Sequence, residues 1–131
     1  RGIAQVCAEA GLQTLLFDAD AANLARGHAA VLAAWDKLAA RGKRTAEDVS
    51  RFAENLRPAA GLGEAADADA VIEAIYEDLG AKTALFIELG AIASPDALLA
   101  SNTSSISITR LAVASGHAER LVRPHFFNPV P

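Results

Sequence analysis

Methionine is missing from the chain altogether, and cysteine occurs once, as Cys7. A single thiol excludes an internal disulfide and fits a reducing compartment, so a cytoplasmic location is expected. Cys7 follows Val6 on what reads as the apolar face of a helix, where buried packing is a better reading than reactivity. With no methionine even at the start, and with Arg1-Gly2-Ile3-Ala4-Gln5-Val6 already reading as mid-helix, both ends are expected to be cuts. Positive charge is scarce too. Twelve Lys and Arg, scattered through the chain, stand against 16 Asp and Glu, a net charge of −4 without the clustered positive potential that phosphate-backbone recognition needs, which argues against a nucleic-acid partner. No apolar run approaches the roughly 18 residues of a membrane span, so no membrane association is expected, and no metal site is expected either. What remains, 131 residues that are 52% hydrophobic and 21% charged, is the composition of one globular domain.

Ile3, Val6, Cys7 and Ala10 recur at helical spacing up to Gly11, which suits a left-handed cap. Residues 13–17 form a short apolar run before Asp18-Ala19-Asp20 and read as a buried strand. From residue 23 to 40, Leu24, Val31, Leu32, Trp35 and Leu38 keep a 3.6-residue period that Gly42 ends. Thr45, followed by Glu47 and Asp48, opens a second helix to about Leu56, and Pro58 breaks it. Residues 69–75 are a second strand candidate. A helix over 78–92 follows, with Leu79, Leu85, Phe86, Leu89 and Ile92 as its stripe. Ser94-Pro95-Asp96 turns the chain. Residues 97–100 lead into the polar stretch 101–105, a short helix carries Ile108, Leu111 and Ala112, and Leu121-Val122 starts a last extended segment. The alternation, the uniformly apolar strands and the lack of hairpin signals predict an α/β fold, doubly wound around a mostly parallel sheet, with a two-helix insertion. Ligands in such sheets lie beyond the carboxyl ends of the strands.

Asp18 ends the first strand, where a carboxylate accepts from both hydroxyls of an adenosine ribose and repels a 2′-phosphate, favouring NAD over NADP. It is equally an ordinary helix N-cap, unless Asp20 takes that part. Glu73 and Glu77 bracket the end of the second strand, with Lys82 on the following helix within reach of a dinucleotide; the plainer alternative is a solvated, acid-rich helix entry. The stretch 101–105 offers hydroxyls and an amide at a third strand end, or simply a capping loop. His125 is the most suggestive single residue, since an imidazole titrating near pH about 6.5 can take a proton at neutral pH. Beside Phe126 and Phe127 it is also readable as a satisfied buried histidine. His28, in the long helix, and His117, in a Gly-containing turn, read as structural or exposed.

Arg1-Gly2-Ile3-Ala4-Gln5-Val6, Val71-Ile72-Glu73-Ala74, Ser101-Asn102-Thr103-Ser104-Ser105 and His125-Phe126-Phe127-Asn128-Pro129-Val130-Pro131 together resemble, in order and separation, the NAD-binding Rossmann domain of 3-hydroxyacyl-CoA dehydrogenases. The resemblance covers residues 1–131, and the pairing of S-N-T-S-S with H-F-F-N-P carries it. It implies oxidation of an (S)-3-hydroxyacyl-CoA to a 3-ketoacyl-CoA with NAD as hydride acceptor, in β-oxidation or related acyl-CoA metabolism. His125 is then the general base, its positive charge stabilised by a Glu downstream of Pro131. Ser104 hydrogen-bonds the substrate oxygen and Asn128 lies beside the histidine. Asp18 binds the adenosine ribose, Glu77 and Lys82 contact the cofactor, and Asn102 lies along the nicotinamide ribose. The insertion matches a region that helps hold coenzyme A, with Arg41, Lys43 and Arg44 facing its phosphates. The whole protein is expected to be a homodimer or part of a multifunctional chain.

Two residues depart from the family pattern: Pro124 stands before His125 where a small or apolar residue is usual, and Gly80 replaces a better helix former. A CoA-independent hydroxyacid dehydrogenase of the same superfamily, and a non-catalytic NAD-binding relative, are the competing readings. Retention of His125, Ser104 and Asn128 together argues against the second. The sequence flanking this chain is expected to place G-x-G-x-x-G just before Arg1 and a Glu soon after Pro131, and the segment by itself is expected to be inactive.

Overall fold

The computed structural model describes residues 2–124. They divide into two compact units, residues 2–61 and 62–124, each with its own parallel sheet and core.

In the first unit, helix α1 (Gly2–Glu9) stops at Gly11, whose φ of 85° lies in the left-handed region that glycine alone enters at no steric cost. Strand β1 (Thr14–Leu16) follows at once. Helix α2 (Ala21–Ala40) begins at Asp20, whose carboxylate accepts from the Asn23 amide at 2.9 Å, and helix α3 (Ala46–Glu54) begins in a reciprocal capping box between Thr45 and Asp48. These two helices are the predicted insertion. Strand β2 (Leu56–Pro58) then pairs parallel with β1, Thr14 opposite Leu56 and Leu16 opposite Pro58. The sequence reading had no strand there, because three residues with a single apolar side chain and a terminal proline carry no strand signature. The core joins Ala8, Val31, Trp35, Phe52 and Leu56. The Trp35 and Phe52 rings lie 5.7 Å apart, and the indole N–H donates to Glu9 Oε1 at 2.7 Å, which satisfies the buried donor that tryptophan brings with it.

In the second unit a 3-10 helix (Leu62–Asp67) precedes strand β3 (Ala70–Glu73), helix α4 (Leu79–Ile92), strand β4 (Leu98–Ser101), helix α5 (Ile108–Ser115) and strand β5 (Leu121–Val122). The strands run parallel in the order β3-β4-β5, with Glu73 opposite Ser101 at the carboxyl end of the first pair. Phe86 and Leu89 of α4, Leu99 of β4 and Leu111 of α5 form the centre of the core. Arg120 closes the far end of α4, donating to Ser94 O at 2.6 Å and Gly90 O at 3.3 Å, where a cation also suits the helix dipole. The α/β, Rossmann-like class with its parallel strands and two-helix insertion is as predicted. Among the described residues no helix is long and apolar enough to cross a membrane.

His117, read from sequence as a turn residue, packs against α4 at Gly90, where an added Cβ would stand 1.6 Å from its Nε2. Gly90→Ala should therefore destabilise by about 1–3 kcal/mol through overpacking, although alanine is the better helix former by about 1 kcal/mol. In a His117→Ala background the same substitution should be neutral or stabilising. Denaturant unfolding of the four proteins checks the sign reversal.

Candidate functional site

A carboxylate on a buried strand costs several kcal/mol unless it is paired and hydrogen-bonded. Glu73, the last residue of β3, is 3% exposed. Its Oε1 meets the ammonium of Lys82 at 2.7 Å and the Ile75 amide at 2.6 Å, and its Oε2 accepts from the Ser101 hydroxyl at 2.6 Å. Lys82, in the first turn of α4, is 1% exposed. Its ammonium also donates to Ile75 O at 3.2 Å and forms an ion pair with Glu77 Oε2 at 3.3 Å. Two hydrogen bonds and an ion pair thus surround the ammonium, and the carboxyl ends of β3 and β4 are tied to the start of α4. The Asn102 amide adds a bond to Glu73 O at 2.8 Å.

Glu77 stands between this buried group and the loop after β4. Asp78, one residue on, caps α4 through the Ala81 amide at 2.7 Å, which leaves the Glu77 carboxylate for other partners. Its Oε1 accepts from the Thr103 hydroxyl at 2.8 Å and the Ser104 amide at 2.7 Å. It also takes longer contacts from the Ser104 hydroxyl at 3.2 Å, the Ser105 amide at 3.2 Å and the Ser105 hydroxyl at 3.3 Å. These donors, the Thr103 hydroxyl foremost and then the Ser104 amide, favour the charged form and hold its pKa at about 2 rather than 4.5. The loop is therefore folded around an anion.

The predicted site residues fall in three groups. Glu77, Lys82, Asn102 and Ser104 converge at the carboxyl ends of β3 and β4 in the second unit, Ser104 exposed and Asn102 half-buried. Lys82, expected within reach of a dinucleotide, has its ammonium buried among Glu73, Ile75 O and Glu77. In the first unit Asp18 is exposed beyond β1; its Oδ1 accepts from the Asp20 amide at 2.9 Å, and Asp20, not Asp18, caps α2. Arg41 and Lys43 are exposed in the turn after α2, whereas Arg44 pairs with Glu9 at 3.4 Å and lies over the Phe52 ring at 5.9 Å. Arg44 thus has a structural use that the sequence did not announce. His125 and Asn128 lie outside the described residues. His28 is half-buried, with Nε2 enclosed and unpartnered. No cluster of three potential metal ligands occurs among the described residues.

Sequence reasoning missed the roles of Glu73, Ser101 and Thr103. The available signal was a lone Glu closing an apolar strand, with a Lys nine residues on. Asp18 in the first unit and Glu77 in the second each present a carboxylate with exposed surface beyond a strand end, the kind of acceptor that a ribose hydroxyl requires.

The sequence model of the family described as 3-hydroxyacyl-CoA dehydrogenase, NAD binding domain, matches residues 1–131. The chain is 44% identical over 130 residues to the 3-hydroxyadipyl-CoA dehydrogenase of Escherichia coli strain K12, matching 99% of this chain and 27% of that protein. It is 37% identical over 131 residues to a 3-hydroxybutyryl-CoA dehydrogenase of Mycobacterium tuberculosis, 99% of this chain and 46% of that one. A crystal structure of 3-hydroxybutyryl-CoA dehydrogenase from E. coli K12 superposes with a TM-score of 0.95 at 44% identity, covering 99% of this chain and 28% of the other. That of (S)-3-hydroxybutyryl-CoA dehydrogenase from Ralstonia eutropha gives 0.93 at 36%, covering 99% and 46%. The chain spans less than half the length of each of these relatives.

Two outcomes follow from the charges. Lys82→Met strands the Glu73 carboxylate in the core and should cost about 3–5 kcal/mol, most of it recovered in Glu73→Gln/Lys82→Met, as thermal unfolding would read. The folded-state pKa of Glu77 is depressed, so its stabilisation is fully present above the ordinary 4.5 and fades as pH falls toward about 2. The stability gap between wild type and Glu77→Gln should shrink across that window and stay flat between pH about 6 and 8.

Proposed function

The chain belongs to the 3-hydroxyacyl-CoA dehydrogenase NAD-binding domain family, and from that premise we propose that it serves the oxidation of (S)-3-hydroxyacyl-CoA to 3-ketoacyl-CoA in fatty-acid metabolism. The observation that carries this reading is the exposed Ser104 hydroxyl, fixed with Asn102 at the carboxyl end of β4 in a chain whose relatives bear that activity in their names.

Each residue then has a task. In the first unit, Asp18 accepts hydrogen bonds from the adenosine ribose hydroxyls, and Arg41 in the turn after α2 meets the phosphates of coenzyme A. In the second, Glu77 and Asn102 serve the nicotinamide ribose, and Lys82 holds the Glu77 carboxylate for that purpose. NAD, when bound, supplies the hydride acceptor. Ser104 donates its hydroxyl hydrogen to the substrate's C3 oxygen, stabilising negative charge as it develops there. His125 takes the hydroxyl proton onto its imidazole as general base, and Asn128 orients the group beside it. The protein works in the cytoplasm, as a homodimer or within a multifunctional chain. One relative is a fatty acid oxidation complex subunit alpha, 38% identical over 129 residues that make up 18% of its length.

The test is NADH formation from (S)-3-hydroxybutyryl-CoA by the whole protein. His125→Gln should lower kcat by about 10²–10⁴-fold at equal folded concentration. An unchanged rate would refute the role of His125. No wild-type activity on short or long acyl-CoAs, with turnover of free hydroxyacids, would move the protein to the CoA-independent branch.

A further inference from the structure

Glu77 makes two different kinds of contact with Ser104. The backbone amide is gripped at 2.7 Å, whereas the hydroxyl donates at 3.2 Å to the same oxygen. Oε1 faces five donors in all, more than its lone pairs can serve well, so the short bonds from Thr103 Oγ1 and the Ser104 amide hold and the long hydroxyl contacts are the ones readily exchanged. A carboxylate has no hydrogen to give, so the Ser104 hydroxyl hydrogen points at Glu77 in the ligand-free chain. Donation to a substrate oxygen requires that contact to be released while the main chain stays put.

We infer that Glu77 is the positioning residue for Ser104: it anchors the serine's main chain through the short amide bond and keeps the hydroxyl on a weaker tether that the substrate oxygen displaces. The aim of that carboxylate comes from the core. Lys82, itself held by Glu73 at 2.7 Å, draws Oε2 inward and so turns Oε1 toward the loop. Glu73, Lys82, Glu77 and Ser104 thus form one chain of contacts from the buried end of β3 to the exposed loop after β4. This inference rests on the reading of Ser104 given above and adds to it a role for Glu77 separate from cofactor contact.

Glu77→Asp keeps the charge beside Lys82 but shortens the side chain by one methylene, which takes the carboxylate out of reach of the loop. In the ligand-free whole protein, amide hydrogen exchange across residues 101–106 should accelerate while the melting temperature stays within a few degrees. At saturating NAD, kcat should fall about tenfold with the KM for acyl-CoA within about twofold. Ser104→Ala should lower kcat by about 10²-fold, and in that background Glu77→Asp should cost less than about twofold more. Equal losses from Glu77→Asp in both backgrounds, or exchange and kcat both unmoved by it, would overturn the positioning role while leaving Ser104 in place. A wild-type kcat in Ser104→Ala would overturn it together with the reading on which it rests.

Discussion

The second unit depends on one ion pair, Glu73 with Lys82, both buried. Such a pair is not a large net source of stability, since removing two charges from water consumes most of what their attraction returns. Its importance is directional. Neither group tolerates being left alone, so the last residue of β3 and the first turn of α4 must come together in one arrangement. Ser101 reinforces it, because the bond to Glu73 Oε2 forms only when β4 stands in the register that places those two residues opposite one another. A slip of the strand would leave a buried carboxylate oxygen without its donor.

That constraint determines what the neighbouring acid can do. Glu77 has Lys82 on one oxygen and a cluster of hydroxyl and amide donors on the other. It therefore remains ionised far into acid, and the loop after β4 has a fixed partner instead of solvent. The first unit uses the same device. Glu9, at the end of α1, accepts from Trp35 of α2, from Gln5, and from Arg44 in the connection before α3. In both units a single carboxylate gathers donors from segments distant in sequence. The first such cluster holds a helical insertion, and the second holds residues expected to touch ligand.

Much of this was legible in the sequence. The 3.6-residue period gave α2 and α4 to within a few residues, and Thr45 with Asp48 marked the start of α3 because a capping box is local chemistry written in local residues. Asp18 and Asp20 could not be separated by type, since either can cap a helix; the structure assigns the cap to Asp20. Strand β2 was invisible because parallel pairing with β1 makes it a strand, and no property of Leu56-Arg57-Pro58 does. From sequence Glu73 is one of two acids bracketing a strand end, or part of a solvated, acid-rich helix entry, whereas the structure buries it. Its burial and its pairing with Lys82 are tertiary facts, although a lone acid closing an apolar strand implies that a cation must meet it. Arg44 shows the reverse case: three basic residues in a turn suggested phosphate, and the structure commits one of them to Glu9 and Phe52.

The placement of Ser104 follows from conflicting demands on a group that must touch a changing substrate atom. A hydroxyl on the strand itself, as at Ser101, is consumed by the buried network and has nothing left to offer. A hydroxyl on an untethered loop would sample many orientations, and its ordering would have to be supplied at each binding event. Ser104 lies three residues beyond Ser101, far enough to be exposed and near enough for its amide to reach the same electrostatic cluster. The buried pair supplies rigidity, the Glu77 carboxylate carries it outward, and the atom that has to move is held at 3.2 Å while its own main-chain amide is gripped at 2.7 Å.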